Sequence, residues 1–282
     1  MVNFKDIQKP YFIGEIGINH NGDLQIAKKL IDAVCACSWD CAKFQKRNPD
    51  VCVPEHQKSV PRETPWGTMT YLDYKHRIEF EKKEYDYIDN YSKQKPIDWT
   101  ASVWDLDSLD FMTQYDVPFL KIPSAKITSL DLLAESAKSG IPIIMSTGMS
   151  ELREVDTAVN EVLKHTDNLV LMHTNSSYPS PESELNLSLI PFYKERYDCV
   201  IGYSGHEMDL EPTVVAVVLG AKVIERHITL SHDMWGTDQK SSLEVIAMDM
   251  LYKRIKNIDI MIGEPIKHVT KSEVPIKKKL RG

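Results

Sequence analysis

Apolar and β-branched runs return at regular intervals along this chain. Each is followed by a stretch whose apolar residues fall three or four apart. The runs are YFIGEIG (11–17), DCAKFQK (40–46), IDWTAS (97–102), PFLKIP (118–123), IPIIMST (141–147), NLVLMHT (168–174), CVIGYS (199–204) and AKVIERH (221–227). Between them lie helical patterns. In GDLQIAKKLIDAV, Leu24, Ala27, Leu30, Ile31 and Val34 share one face behind Asp23, a residue suited to cap a helix N-terminus. SLDLLAESAKSG opens at Ser129 and closes on Gly140, the residue that most readily ends a helix in the left-handed conformation. ELREVDTAVNEVLKH, LEPTVVAVVLGA and LEVIAMDMLYKRIKNIDIMIG read the same way. Strand alternating with helix eight times predicts an α/β protein, a single-domain (β/α)8 TIM barrel over residues 1–282, with an open doubly wound sheet as the alternative. Residues 47–96 are longer than one helix requires. Their first half is rich in proline and polar residues, which predicts an elaborated loop over the barrel mouth. Residues 265–282 form a basic tail without an apolar period, to be expected as an arm, linker or strap.

Barrel enzymes place their chemistry at the C-terminal ends of the strands. Read in order, those ends carry Glu15 with Asn19 and His20; Lys43 and Gln45; Thr100 and Ser102; Lys121 and Ser124; Ser146 and Thr147; His173, Asn175 and Ser176 with Tyr178; Ser204 and His206; Glu225 and His227. Any one has an ordinary explanation, since serines satisfy loop backbone and a lone histidine is commonly structural. The set is harder to dismiss, because every strand delivers a polar group at the same end. Lys43 and Lys121, with Ser102, Ser124, Ser146 and Ser204, form a cationic and hydroxylic ring suited to a phosphate with an adjacent carboxylate. His206 and His227 lie on neighbouring strands and could share one divalent metal, though two histidines alone do not define one. Glu15, Tyr178 and Asp238 are candidates for contacting hydroxyls or moving protons.

Composition narrows the field. The hydrophobic fraction of 42% and charged fraction of 27% are those of an ordinary globular protein. A net charge of −7 argues against a broad basic face for nucleic acid while leaving room for a local anion pocket. No apolar run has the length of a membrane helix, and MVNFKDIQKP lacks a signal-peptide core. The five cysteines include no CxxC pair and read as reduced, mostly structural thiols of a cytoplasmic protein.

The segments FIGEIGINHNGDLQIAKKLIDA, AKFQK, LKIPSA, IIMSTGMS, SSYPSP, GYSGHE and VIERHITL with downstream GTDQKSSLE resemble the N-acetylneuraminate (sialic acid) synthase family, in order and at compatible spacing from about residue 11 to residue 281. The resemblance implies a (β/α)8 barrel that condenses phosphoenolpyruvate with N-acetylmannosamine or a related N-acetylated aldose. The product is a nine-carbon 2-keto sugar acid, with phosphate released. It implies that Lys43, Lys121, Ser124, Ser146 and Ser204 bind phosphoenolpyruvate, with Ser102 where threonine is common. It further implies that His206 and His227 hold Mn2+, with Mg2+ or Co2+ as substitutes, and that Glu15, Tyr178 and Asp238 serve the sugar or the chemistry. On this reading Glu15 transfers a proton and Glu225 supports the metal site from behind. Arg226, on the opposite side of its strand, makes an ion pair in the helical layer. Ser176 stands where some members carry a sugar-contacting asparagine, and Lys126 is expected to add positive charge near the phosphoenolpyruvate site. Members usually continue into a small antifreeze-like domain that covers a partner's active site. The likeness here is to the barrel alone, so a homo-oligomer of another kind or a separate cap protein is the expected partner. A legionaminic- or pseudaminic-type product, or a non-catalytic sugar- or phosphate-binding barrel, are the alternative readings.

Overall fold

A computed structural model describes all residues, 1–282. Eight parallel strands form the barrel: β1 (Tyr11–Gly17), β2 (Cys41–Lys46), β3 (Asp98–Val103), β4 (Leu120–Ile122), β5 (Ile143–Ser146), β6 (Leu169–Thr174), β7 (Val200–Gly205) and β8 (Val223–Thr229). Neighbours in sequence are neighbours in space, and β1 pairs with β8 to close the ring. Closure removes both sheet edges and decides against the open doubly wound alternative. Each of the eight apolar runs found in the sequence coincides with one of these strands to within two residues at either end.

Helices cover the outside. Asp23 caps Leu24–Ala36 by accepting from the backbone N–H groups of Gln25 and Ile26, and Ala27, Leu30, Ile31 and Val34 are buried. The main core lies between strands and helices. A second, smaller core fills the barrel at the strand N-termini, where Phe4, Tyr11 and Phe119 meet edge to face at centroid distances of 5.6 to 6.2 Å. That plug closes one end of the barrel and leaves the C-terminal end as its opening.

The long connection after β2 is structured. It holds a two-stranded antiparallel ribbon (Pro61–Arg62 with Met69–Thr70), the helix Tyr71–Ile78 and the helix Lys82–Gln94. Its tip lies against the loop after β8: the Trp66 and Trp235 rings are 5.8 Å apart and those of Tyr74 and Trp235 5.4 Å. The basic tail departs from its reading as an unpatterned strap. Glu273–Arg281 forms a helix, with Val274, Ile276 and Leu280 exposed. Straight-chain residues there favour a helix without an apolar face to bury. All five cysteines are free thiols. No helix is long and apolar enough to cross a membrane.

Candidate active site

Strand alternation decides which side chains reach the interior of a barrel. Glu15 on β1 pairs in register with Lys43 on β2 and with His227 on β8. Gln45 pairs with Ser102, Ser102 with Lys121, and Ser204 with Glu225. One inward layer is thereby assembled from strands far apart in sequence. All the expected site residues except Asp238 line a single cavity of about 220 Å³ at the C-terminal mouth, a size that suits a compact acid. Asp238 stands beside it on the loop after β8, with Oδ2 3.9 Å from Nδ1 of His227. Gly17 ends β1 with φ +54°; a side chain there would strike Gln45 and Glu15, so the left-handed turn and the crowded cavity wall require the same residue.

The floor differs from a bare cationic ring. Nζ of Lys43 lies 2.5 Å from Glu15, 3.6 Å from Glu225 and 2.9 Å from the Ser102 hydroxyl. Nζ of Lys121 lies 3.1 Å from Glu225, which also accepts from Ser204 at 3.1 Å. All four ionisable groups are buried, and a buried charge is tolerated only when paired. Glu225 is therefore directed to the lysines, and in this arrangement its carboxylate belongs to the anion floor. Burial pushes its carboxyl upward, but Lys121 and Lys43 outweigh that and hold it at about 2. Glu15 goes the other way: burial, reinforced by Glu225, raises it in spite of Lys43. Two carboxylates in one site are thus driven apart in proton affinity. Oε2 of Glu225, with only the 3.6 Å contact to Lys43, and the Ser146 hydroxyl are buried without a hydrogen-bond partner. Unsatisfied buried groups of this kind mark a site built for a ligand.

The two histidines stand together, ring centroids 5.3 Å apart. Nδ1 of His206 donates to the Asn175 carbonyl at 2.6 Å, which leaves Nε2 with its lone pair. Nδ1 of His227 is buried without a partner. Burial lowers His206 to about 3 and lowers His227 as well, so both rings are neutral at physiological pH. Neutral imidazoles on adjacent strands are two ligands of the kind a divalent cation takes, and no third His, Cys, Asp or Glu joins them in a cluster. Tyr178 covers His206 at a centroid distance of 4.1 Å.

Other strand-end residues are structural. His20 stacks on Phe80 at 3.9 Å, Asn19 donates to the Ile228 carbonyl, and Thr100 donates to the Phe119 carbonyl. Lys126 does not approach the central cavity as expected. It lines a neighbouring one with Asp105, Asp107 and Asp131, because the turn Ser124–Lys126 carries it outward after Ser124. Arg226 makes the expected pair behind the barrel, 2.9 Å from Glu207, and also donates to Thr213. Gln45, which the sequence placed at a strand end without a role, donates to Glu15 at 2.9 Å and accepts from Arg47. Its signal was its position two residues after Lys43, on the same inward face.

A (β/α)8 barrel with two lysines, a row of hydroxyls and a histidine pair at its mouth defines an enzyme that handles a small phosphorylated acid beside a second, oxygen-rich reactant. The chain belongs to the NeuB family, which it matches over residues 30–267. It is 35% identical to the N,N'-diacetyllegionaminic acid synthase of Campylobacter jejuni, over 95% of this chain and 81% of that one. It is 34% identical to the human N-acetylneuraminate-9-phosphate synthase, over 97% and 77% respectively. Its fold superposes with a TM-score of 0.85, at 30% identity, on an N-acetylneuraminic acid (sialic acid) synthetase from Leptospira borgpetersenii determined with citrate, covering 97% of this chain and 93% of that one.

Proposed function

We propose that the central cavity condenses phosphoenolpyruvate with an N-acetylated aldose to give a nine-carbon 2-keto sugar acid and phosphate. The chain is a phosphoenolpyruvate-condensing transferase of the sialic acid synthase type. The observation that carries the assignment of roles is the juxtaposition, in one cavity, of the Lys43–Lys121 floor with the His206–His227 pair.

Lys43 and Lys121 take the phosphate and carboxylate of phosphoenolpyruvate. Ser102, Ser124, Ser146 and Ser204 supply short donors that orient it. The Gly148 N–H already donates to Ser124 at 3.0 Å, and a side chain at Gly148 would collide with Ser124 and Ser176, so this wall is shaped for close approach. His206 and His227 hold a divalent ion, with Mn2+ the leading choice and Mg2+ or Co2+ as substitutes. Such an ion supplies Lewis-acid polarisation of the aldehyde oxygen. Carbon 3 of phosphoenolpyruvate bonds to the aldehyde carbon, water adds at carbon 2, and the C–O bond to phosphate breaks. Glu15 is the proton carrier. It is the carboxyl with raised affinity, and an anion beside Lys43 raises it further. Gln45 fixes its orientation, while Tyr178, Ser176 and Asp238 bound the space left for the sugar.

Phosphate release from phosphoenolpyruvate with N-acetylmannosamine, with and without Mn2+, followed by mass spectrometry of the product, tests this reading. Metal-dependent release with a product mass of sugar plus pyruvate supports it. No release with N-acetylmannosamine or with diacetamido sugars would overturn it. The similarity to a legionaminic acid synthase supports a second reading, in which a diacetamido-dideoxy hexose is the better acceptor, and the same mass measurement separates the two.

A further inference from the structure

Glu15, Gln45 and Arg47 form a line that leads out of the central cavity. Glu15 and Gln45 are among its lining residues, and Arg47 stands behind them without reaching it. Gln45 and Arg47 are two positions apart, the spacing that keeps side chains on one side of an extended chain. Nε2 of Gln45 donates to Oε1 of Glu15 at 2.9 Å, and Oε1 of Gln45 accepts from Nη2 of Arg47. Arg47 is held in turn. Its backbone N–H donates to Oε1 of Glu79 at 3.0 Å, its Nε lies 3.6 Å from Oε2 of the same carboxylate, and its guanidinium lies over Trp104, 4.6 Å from the ring centroid. Both side chains of the Arg47–Glu79 pair are buried, so protein neighbours rather than solvent fix them. The Tyr85 hydroxyl donates to the Gln45 carbonyl at 3.0 Å and holds the backbone at this point.

A glutamine amide has a donor end and an acceptor end of nearly equal size, and either end can face a neighbour. A guanidinium offers donors only, and a carboxylate oxygen only accepts. Set between the two, Gln45 has one orientation that satisfies both: its carbonyl toward Arg47 and its NH2 toward Glu15. The reverse orientation sets N–H against N–H and oxygen against oxygen. Lys43 holds the other oxygen of Glu15 at 2.5 Å, so the Gln45 donor fixes the remaining freedom of that carboxyl, its rotation about its own axis. Without Arg47 the outer end of the amide has no partner. The long side chain then regains its rotamers, and Glu15 keeps its donor for only part of the time.

We infer that Arg47 is a positioning residue for the condensation: by locking the Gln45 amide it keeps the Glu15 carboxyl in a single orientation at the reacting centre. The consequence for turnover rests on the proposed reaction, whereas the lock itself is a property of the protein alone. Arg47 touches no reacting atom; it acts through Gln45, with Glu79 and Trp104 as its supports. Small losses of orientation at a catalytic group cost rate more than they cost binding, because the geometry matters most in the transition state.

The test is a double-substitution cycle. Arg47→Met is expected to lower kcat about tenfold, with KM for phosphoenolpyruvate changed less than about threefold, because Lys43 and Lys121 are untouched. In a Gln45→Met background the same substitution is expected to change kcat by less than about twofold, since the link is already cut. Arg47→Lys still offers donors only and is expected to return kcat to within about threefold of the wild type. An equal loss of kcat in both backgrounds, or no loss in the wild type, overturns the inference. Thermal unfolding checks that the variants fold; Lys46, 3.3 Å from Glu79, keeps that carboxylate paired when Arg47 is replaced. The side-chain amide resonances of Gln45, observed in nitrogen-labelled protein without substrates, keep the two proposals apart. The resonance pair that vanishes in Gln45→Met is expected to lie away from the values of exposed glutamines in the wild type and to move toward them in Arg47→Met. That shift supports the positioning even if no sugar is turned over, a result that would sink the condensation alone. A pair that does not move in Arg47→Met overturns the positioning.

Discussion

The floor of the cavity and the rim formed by the long connection after β2 both hold cations largely withdrawn from water, yet they meet the problem of buried charge in different ways. On the floor, Lys43 and Lys121 face Glu15 and Glu225 across the barrel, and serine hydroxyls complete their contacts. The ammonium groups are balanced before any ligand arrives, and strands hold them in place. On the rim, Arg62 and Lys75 come from the long connection after β2 and rest on aromatic rings in place of carboxylates. A balanced site pre-organises chemistry, because its groups do not have to be gathered at the moment of reaction. An unbalanced one relies on aromatic faces, which compensate a desolvated cation only in part.

The sharpest way to break this contrast is to unbalance the floor. Lys121→Met leaves Glu225 without its nearest partner. It is expected to lower kcat/KM for phosphoenolpyruvate by about 10³-fold and to destabilise the fold by roughly 3–5 kcal/mol. Phosphate-release kinetics and urea unfolding measure the two. If stability is unchanged, the balance described for the floor is wrong. Glu207→Ala strips the partner from Arg226 behind the barrel and is expected to cost a similar ~3–5 kcal/mol of stability, with KM for both substrates changed less than about threefold. A large change in KM would show that the outer pair acts on the site.

The histidine pair is read by metal addition. Mn2+ is expected to raise the thermal midpoint by preferential binding to the native state, and His227→Ala to abolish that rise whether or not substrates are present. The rim gives a pH signature. Burial first, then Arg47, lowers Lys75 from its ordinary value to about 8, with Arg62 also lowering it and Asp238 and Glu79 opposing. Between that value and the ordinary lysine range the unfolded chain binds the proton that the native chain has released. Lys75 thus contributes a rise in stability with pH over that window, and Lys75→Met removes it. Urea unfolding of the wild type and Lys75→Met across that window measures the difference; curves that stay parallel would show that Lys75 keeps its ordinary proton affinity. The smallest effect is expected at Ser146, whose buried hydroxyl has no partner. Ser146→Ala loses one contact to phosphoenolpyruvate, about 3- to 10-fold in KM, with no loss of stability because no native hydrogen bond is broken.

Much of this arrangement was legible in the chain. A period of two within each apolar run and a period of three to four between runs are local properties, and they marked all eight strands and the helices around them. Because alternate residues of a strand share a face, Lys43 and Gln45 were bound to lie on one side, and Arg226 on the opposite side from Glu225 and His227. What the sequence could not determine was which carboxylate meets which lysine. Glu225 meets Lys121 across 104 positions of chain, a contact set by the register and closure of the barrel. The same holds for Lys126, turned into another cavity by a short helical turn, and for the rim, where Arg62 reaches Trp235 only because the long connection folds back over the mouth. Local patterning decides which residues face inward; the pairing of charges depends on distances between strands that no local pattern encodes.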